Sequence, residues 1–212
     1  MLRTFGSKYL YRGQSNPEKP LPSLYRKGVN RDTAKAIFEG FKHYTRYYGL
    51  TEENNFSEHD VLLMGRHHGL ATQHLDYTID PAVALAFAGT GDDVDGNSRI
   101  FFTPLINTLL YAKLYYPPFF AQRLYLQRGV LLDIPEDKYP FFHNHHYEVR
   151  FPRKYLFNVY RDGKEIFLYP DNSLDHFFDL IATLPVSEQD YAETLKINSI
   201  YLKKLLQGSI AY

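Results

Sequence analysis

The sequence contains no cysteine and no tryptophan, and only 2 of its 212 residues are methionine. The absence of cysteine excludes disulfides, thiolate nucleophiles and thiolate-bound zinc. Basic and acidic side chains are equal in number, 24 of each, so no overall field attracts nucleic acid or a membrane surface. Apolar stretches are too short to cross a bilayer, and the first residues show no apolar signal run. We therefore expect a cytoplasmic protein without a membrane partner.

Aromatic side chains are abundant, because the chain has 19 tyrosines and 16 phenylalanines. They must supply much of the core and part of any pocket wall. The length suits one large domain, and we find no internal repeat and no low-complexity linker. The sequence therefore predicts a single domain over residues 1–212.

Local signals predict where several helices begin and end. Ser57 and Asp60 have the spacing of a capping box that opens a helix. Asp80 as N-cap and Pro81 at the first helical position predict a small buried helix that ends at Gly89. The other predicted helices cover 32–48, 107–125 with a break near the prolines at 117–118, 153–160, 173–184 and 187–206. The predicted strands cover 8–13, 99–103, 126–134, 146–152 and 165–170. The fold class is α/β or α+β, with a mixed sheet.

Motifs for common chemistries are missing. The glycine pattern at 89–96 has Val94 where a dinucleotide fingerprint needs glycine, and it does not open a helix. No Walker sequence is present, and no serine lies in a nucleophile elbow. The stretch HNHH at 143–146 has no carboxylate at ligand spacing, which favours a polar loop over a metal site. We predict no metal.

Three blocks of sequence resemble the FRG domain family, small bacterial and phage domains named for a Phe-Arg-Gly motif. That motif here reads Tyr-Arg-Gly-Gln at 11–14, followed by LPSLYR at 21–26. The family's middle signature, Gln-His-His-Gly-Leu-Pro-Thr-Arg-Leu-Leu-Asp-Trp-Thr, is similar to RHHGLATQHLDYT at 66–78. The third block, glutamine then glycine, resembles Gln127 and Gly129. The residues that depart from the middle signature are Arg66, Ala71, Gln73 and Tyr77.

The order of these blocks resembles an ADP-ribosyltransferase fold, which implies a split mixed sheet with flanking helices. In that fold an arginine ends the first strand, a Ser/Thr strand leads into a small-residue helix, and a carboxylate or amide residue follows on a later strand. The implied cofactor is NAD. The implied catalytic residues are Arg12, His68 and Gln127. The implied cofactor-binding residues are Arg12, Gly13, Gln14, Thr72, Asp76, Tyr77 and Thr78.

The resemblance implies an NAD-dependent ADP-ribosyltransferase that modifies a macromolecular acceptor, either nucleic acid or protein. Candidate biological roles are a toxin or a phage-conflict effector, with a cognate antitoxin as a further expected partner. An arginine fork suits this chemistry because it binds phosphate or ribose oxygens through two parallel bonds. We expect Arg12, His68, Thr78 and Gln127 to line one cleft. The alternative function is a non-catalytic nucleotide-binding or regulatory module.

Individual site residues keep alternative interpretations. Gln127 is neutral where a catalytic glutamate would act on the acceptor, so Glu136 and Glu148 are alternatives. For His67 and His68, one interpretation is that one caps the helix end while the other packs beneath the loop, and the alternative is that one acts as a base near the acceptor. The third open case is Asp76, which either orients an imidazole or, as we favour, holds the loop through backbone N–H groups.

Overall fold

The computed structural model describes residues 8–15, 20–47, 57–67, 70–90, 97–116, 122–152, 157–166 and 168. The described residues of Met1–Ser23 and Gln73–Tyr169 form one compact unit, and those of Leu24–Thr72 belong to a second. The single domain over residues 1–212 stays a prediction.

A six-stranded sheet organises the first unit. Its strands are β1 Tyr9–Gln14, β2 His74–Thr78, β3 Asn97–Pro104, β4 Lys113–Tyr115, β5 Gly129–Asp133 and β6 Tyr147–Pro152. They lie in the order β4-β5-β2-β1-β3-β6, and each pairing is antiparallel. The α/β class is confirmed, but the expected mixture of parallel and antiparallel pairs is wrong for this sheet. Strand direction depends on how the connections return the chain, which residue alternation does not encode.

The sheet narrows at its centre. Strand β1 pairs with β3 at six residues, and β2 pairs with β5 at five. Between β1 and β2 the paired register is the single pair Tyr11–Thr78. The sheet therefore consists of two three-stranded halves, β4-β5-β2 and β1-β3-β6, joined at one narrow junction.

The described residues form six α-helices and one short 3-10 helix, Ser23–Tyr25. The α-helices are α1 Arg31–Tyr47, α2 Glu58–His67, α3 Pro81–Gly89, α4 Leu105–Tyr111, α5 Gln122–Leu126 and α6 Tyr139–Asn144. A hairpin of β7 Val159–Arg161 and β8 Lys164–Ile166 forms a second, two-stranded sheet. Among the described helices, none has both the length and the apolar character that a membrane crossing would need.

Predicted caps are confirmed in the structure. The backbone N–H of Ala82 donates to the Asp80 carboxylate at 3.0 Å, and Pro81 is the first residue of α3. The capping box before α2 is also present, because the N–H of Ser57 donates to the Asp60 carboxylate at 2.8 Å. The N–H of Asp60 in turn donates to the Ser57 hydroxyl at 3.1 Å. These signals are local, so the sequence predicts them well.

Two of the predicted helices differ from the structure. The segment 107–125 holds the end of α4, the strand β4 and the start of α5 instead of one broken helix. The predicted helix over 153–160 overlaps β7, which begins at Val159. The helices predicted over 173–184 and 187–206 lie outside the described residues.

One face of the sheet packs against α6. Side chains alternate along a strand, so Leu10 and Arg12 of β1 share a face. Leu10 lies in the main buried cluster together with Phe142 of α6. The other buried members of that cluster are Leu75, Tyr77, Ala112, Val130, Leu132 and Ile134. We call this the α6 face, and the opposite side, which carries α3, the α3 face.

Candidate functional site

Arg12 lies beside the narrow junction, on the α6 face. Its Nη1 donates to the backbone carbonyl of Asp76 at 2.7 Å, and its Nε donates to Oε1 of Gln14 at 3.3 Å. The Asp76 carboxylate is 3.8 Å from Nη1. The Arg12 side chain is 17% exposed, whereas that of Asp76 is 40% exposed. The guanidinium therefore bridges to β2 where the backbone pairing of β1 and β2 has ended.

Tyr77, which is buried, and His146, which is half-buried, form a polar pair on the same face. The Tyr77 hydroxyl lies 2.5 Å from Nε2 of His146, and Nδ1 of His146 lies 3.2 Å from the carbonyl of His143. A carbonyl only accepts, so Nδ1 carries the proton and Nε2 accepts from the tyrosine. Burial lowers the pKa of His146 to about 4. Burial also raises the pKa of Tyr77, against the opposing influence of the Arg12 charge. Both side chains are therefore neutral near pH 7.

Tyr139 completes the group from the first turn of α6. Its hydroxyl donates to the carbonyl of Pro20. Burial raises the pKa of Tyr139 to about 12, and the positive charge of Arg12 opposes that rise. Because Arg12 acts electrostatically on both tyrosines, the three side chains form one polar neighbourhood. We call Arg12, Gln14, Asp76, Tyr77, Tyr139 and His146 the Arg12 cluster.

Thr78 and Gln127 form a separate group. The Thr78 hydroxyl donates to the carbonyl of Gln127 at 2.8 Å and accepts from the N–H of Asp80 at 3.0 Å. The side-chain amide of Gln127 donates to the carbonyl of Leu168 at 2.7 Å, and Gln127 is buried. These polar atoms hold the protein together at the end of β2. A role in binding NAD or in catalysis stays a prediction for both residues.

The sequence predicts that Gln127 lies on a strand, and the structure shows that this prediction is wrong. Gln127 occupies the turn between α5 and β5, since β5 begins at Gly129. The next residue, Arg128, has a positive φ of 46°. That conformation interrupts an extended strand, and side-chain alternation alone does not reveal it.

Strand register separates these two groups. Residues directly opposite each other in an antiparallel pair project to the same face, so Thr78 shares its face with Tyr11. Arg12 therefore projects from the opposite face of the sheet. The structure brings Arg12 together with Gln14, Asp76 and Tyr77, and it brings Thr78 together with Gln127. A single cleft shared by all of them stays a prediction.

Gly13 has a packing requirement of its own. A Cβ at this position would lie 1.7 Å from the carbonyl oxygen of Ala84 and 2.7 Å from the N–H nitrogen of Ala88, both in α3. Only glycine permits this close approach of β1 and α3. A contact between Gly13 and a cofactor stays a prediction.

The remaining candidates lie elsewhere. Thr72 belongs to the second unit, where it is buried and its carbonyl accepts from the N–H of Leu24 at 3.1 Å. His67 is the last residue of α2, and His68 lies outside the described residues. The alternative Glu136 is exposed in the turn before α6.

Glu148 lies on β6 between two arginines. Its Oε1 accepts from Arg99 Nη1 at 2.8 Å and from Arg150 Nε at 2.7 Å. Hydrogen bonds from Arg150, together with the charges of both arginines, lower the pKa of Glu148. A carboxylate held in this way is a poor general base, because it binds a proton weakly.

Tyr139 and His146 were missed as members of the site. The sequence presents them in a histidine-rich segment, which favoured a polar loop. Their partner Tyr77 lies 69 residues from His146, so only the folded sheet brings them together. In the part of the chain that the structure describes, no three histidine, aspartate or glutamate side chains form a group that could hold a metal.

The fold and the site define a protein of mixed α/β class, with an arginine-centred polar cluster at the junction of a two-part antiparallel sheet. Residues 7–95 match the family model of the FRG domain. The match contains the first two blocks of the sequence resemblance, whereas Gln127 and Gly129 lie beyond it. No curated protein and no solved structure matched the chain.

Proposed function

We propose that the Arg12 cluster is part of a nucleotide site that binds NAD, and that the protein transfers ADP-ribose to a macromolecular acceptor. The observation that carries this proposal is the placement of Arg12. The Arg12 side chain is 17% exposed, lies where the backbone pairing of β1 and β2 ends, and donates from Nη1 to the carbonyl of Asp76 at 2.7 Å. A guanidinium suits a diphosphate, because its planar fork can donate two parallel charge-assisted bonds to phosphate oxygens.

The order of the parts supports the same proposal. Arg12 lies in the first strand, Thr78 ends β2 just before the alanine-rich α3, and Gln127 directly precedes the region of β5. This is the order that the resemblance to an ADP-ribosyltransferase fold implies. The narrow junction between β1 and β2 is the equivalent of the split in that fold's sheet. The toxin or phage-conflict role, the cognate antitoxin and the cytoplasmic location belong to this proposal.

The proposed chemistry needs little covalent help from the protein. The bond between nicotinamide and ribose breaks, and its electron pair leaves with nicotinamide. A nucleophilic atom of the acceptor then forms the new bond to the ribose, and its proton passes to a base, for which His68 is the sequence candidate. Positioning and electrostatic stabilisation of the oxocarbenium-like centre supply the rate. Arg12 would hold the diphosphate or ribose oxygens throughout.

Titration calorimetry with NAD tests the binding step. The variant Arg12→Lys keeps the charge and loses the fork, so we expect its affinity to fall by about 1.5–3 kcal/mol. Arg26→Lys, at an exposed arginine of the second unit, is the matched control and should bind NAD as the unmodified protein does. His68→Gln should reduce turnover more than binding. Unchanged binding in Arg12→Lys, with binding abolished in His68→Gln, would show that the imidazole organises the site.

Labelled NAD incubated with the protein and a host lysate tests the transfer step. We expect label on protein or nucleic acid and release of nicotinamide, both lost in Arg12→Ala. Neither label transfer nor nicotinamide release from the folded protein would count against the enzyme.

A non-catalytic nucleotide-binding or regulatory module is the second candidate function. The observation that favours it is the buried amide of Gln127, which is neutral and already donates to the carbonyl of Leu168. Tight NAD binding without nicotinamide release over hours would support this alternative. Loss of measurable turnover in Gln127→Ala, in a protein that still folds, would argue for the enzyme.

A further inference from the structure

Strand β6 forms one edge of the six-stranded sheet. It pairs with β3 through six residues, and it is the last strand in the sheet order. Residues 147–150 are all exposed, including Tyr147 at 56% and Val149 at 49%. In the part of the chain that is described, no strand pairs with the outer edge of β6. A long exposed edge of this kind is a template for pairing with another strand.

The sequence of this edge is complementary to itself. Around Val149 it reads aromatic, acidic, aliphatic, basic, aromatic over residues 147–151. When such a strand pairs with a second copy of itself in antiparallel orientation, the order of one copy is read in reverse against the other. Opposite charges then face each other, because the acid and the base lie at equal distances on the two sides of Val149.

We propose that β6 mediates self-association, pairing antiparallel with β6 of a second copy of this chain about a two-fold axis at Val149. Val149 then lies opposite its own copy, Glu148 lies opposite Arg150 of the second copy, and Tyr147 lies opposite Phe151 of the second copy. Directly opposed charges of opposite sign and aromatic pairs both stabilise antiparallel strands. The two six-stranded sheets become one continuous sheet of twelve strands.

Alternative registers are disfavoured by charge. Centring the two-fold axis on Glu148 places two carboxylates directly opposite each other, and centring it on Arg150 places two guanidiniums opposite each other. Placing the two-fold axis between Val149 and a neighbouring residue sets Glu148 or Arg150 opposite Val149 of the second copy, and the ion pairs are lost. The register at Val149 is therefore the one in which every opposed pair is favourable.

The neighbouring strand strengthens this charge pattern. Arg99 of β3 is directly opposite Arg150 of β6, which leaves two like charges side by side within one chain. Glu148 partly compensates them by accepting from both. In the pair of copies, the second copy's Glu148 lies on the free side of Arg150, so that guanidinium has a carboxylate opposite it. Self-association therefore places a carboxylate of the second copy opposite each Arg150, and each Glu148 faces Arg150 of the second copy.

Sedimentation equilibrium of the full chain tests the proposal. We expect a concentration-dependent dimer, since one strand pairing is at the low end of interface sizes. The single variants Glu148→Arg and Arg150→Glu should each weaken dimerisation by about tenfold or more, because each sets like charges opposite each other at two symmetric positions. Glu165→Arg on the exposed strand β8 is the charge-matched control and should leave the dimer intact.

The decisive experiment mixes the two single variants, Glu148→Arg and Arg150→Glu, in one solution. One variant then presents two basic side chains and the other two acidic ones, so the mixture should form a heterodimer of near-original affinity although neither variant pairs well with itself. The double variant Glu148→Arg with Arg150→Glu should also dimerise, because the opposed signs are restored. Circular dichroism checks that each variant folds. A monomeric wild-type chain at all concentrations, or a dimer that neither single variant weakens, would overturn the proposal, as would a mixture that does not associate.

Discussion

The two faces of the six-stranded sheet use their polar side chains differently. On the α3 face, polar atoms bond to the backbone: the Thr78 hydroxyl donates to the carbonyl of Gln127, and the Ser98 hydroxyl donates to the carbonyl of Ala88 at 2.6 Å. On the α6 face, side chains bond to each other as well as to the backbone, as in the contacts of Arg12 with Gln14 and of Tyr77 with His146. Backbone partners fix a fold, whereas titratable partners respond to pH and to charge. The α6 face is therefore the better location for a ligand site.

The largest expected effect lies on the α3 face, at Gly13. We expect Gly13→Ala to lower the free energy of unfolding by about 4 kcal/mol, above the usual range for overpacking, because the new Cβ meets backbone atoms of α3. Urea titration followed by circular dichroism measures the loss. The exposed α3 position Ala82 provides the control, since Ala82→Ser should change stability by less than about 1 kcal/mol. A Gly13→Ala protein as stable as the control would contradict the packing described for this face.

The second largest expected effect is a pH dependence of the free energy of unfolding that originates at His146 on the α6 face. His146 has a folded pKa of about 4 against an unfolded value of 6.5, so the unfolded chain binds more protons between these values. Its contribution to stability is complete above pH 6.5 and is lost as the pH falls towards 4, by about 3 kcal/mol in total. Unfolding free energies measured across this range should show the slope, and His146→Gln should remove most of it. Asn144→Gln, at an exposed position of α6, should retain the slope. A slope that persists in His146→Gln would assign it to another group.

The third largest expected effect is a loss of stability on the α3 face, at Thr78. Thr78→Val removes a hydroxyl that donates to one buried carbonyl and accepts from the N–H of Asp80, so we expect a loss of about 2 kcal/mol. Thr108→Val is the matched control, because the Thr108 hydroxyl bonds to the carbonyl of Pro104 within its own helix turn. That control should cost about 0.5 kcal/mol. Equal losses in both variants would mean that the Thr78 bonds are not special to the junction.

The smallest effect on stability is expected at Arg12. Lysine retains the charge and can donate to the Asp76 carbonyl, so Arg12→Lys should change the unfolding free energy by about 1 kcal/mol or less. Under the proposed function the same substitution weakens NAD binding substantially. Thermal unfolding with and without NAD separates the two effects. A large loss of stability without ligand would identify Arg12 as a structural residue.

Local signals account for what the sequence predicts well. The capping residues Ser57, Asp60 and Asp80 act within four residues of their partners, and the helices they open are present. The strand β4 was missed because its three residues lie inside a segment with helical spacing, and pairing with β5 decides its conformation. Tertiary contacts override such weak local preferences.

For the candidate site too, the sequence predicts what depends on local motifs and misses what depends on tertiary contacts. The FRG-domain blocks identified Arg12 and Tyr77 by their place in a motif. They did not identify His146, because its contact with Tyr77 depends on the sheet and on α6 being assembled. They also gave no sign that Arg12 and Thr78 project from opposite faces, since that follows from the register of β1 against β2. Motifs locate residues along the chain, and register decides which of them meet.

The single residue pair between β1 and β2 makes the backbone pairing of this sheet narrowest at its centre. A ladder of five or six pairs resists separation cooperatively, since each backbone hydrogen bond adds about 0.5–1.5 kcal/mol. Here the backbone pairing between the two halves is the one pair Tyr11–Thr78, and side chains such as Arg12 and the buried Leu10 add further contacts across the junction. Few backbone hydrogen bonds therefore join the two halves, and side-chain contacts hold them together beyond that pair. Each half is well paired within itself, and Arg12 lies at the junction between them.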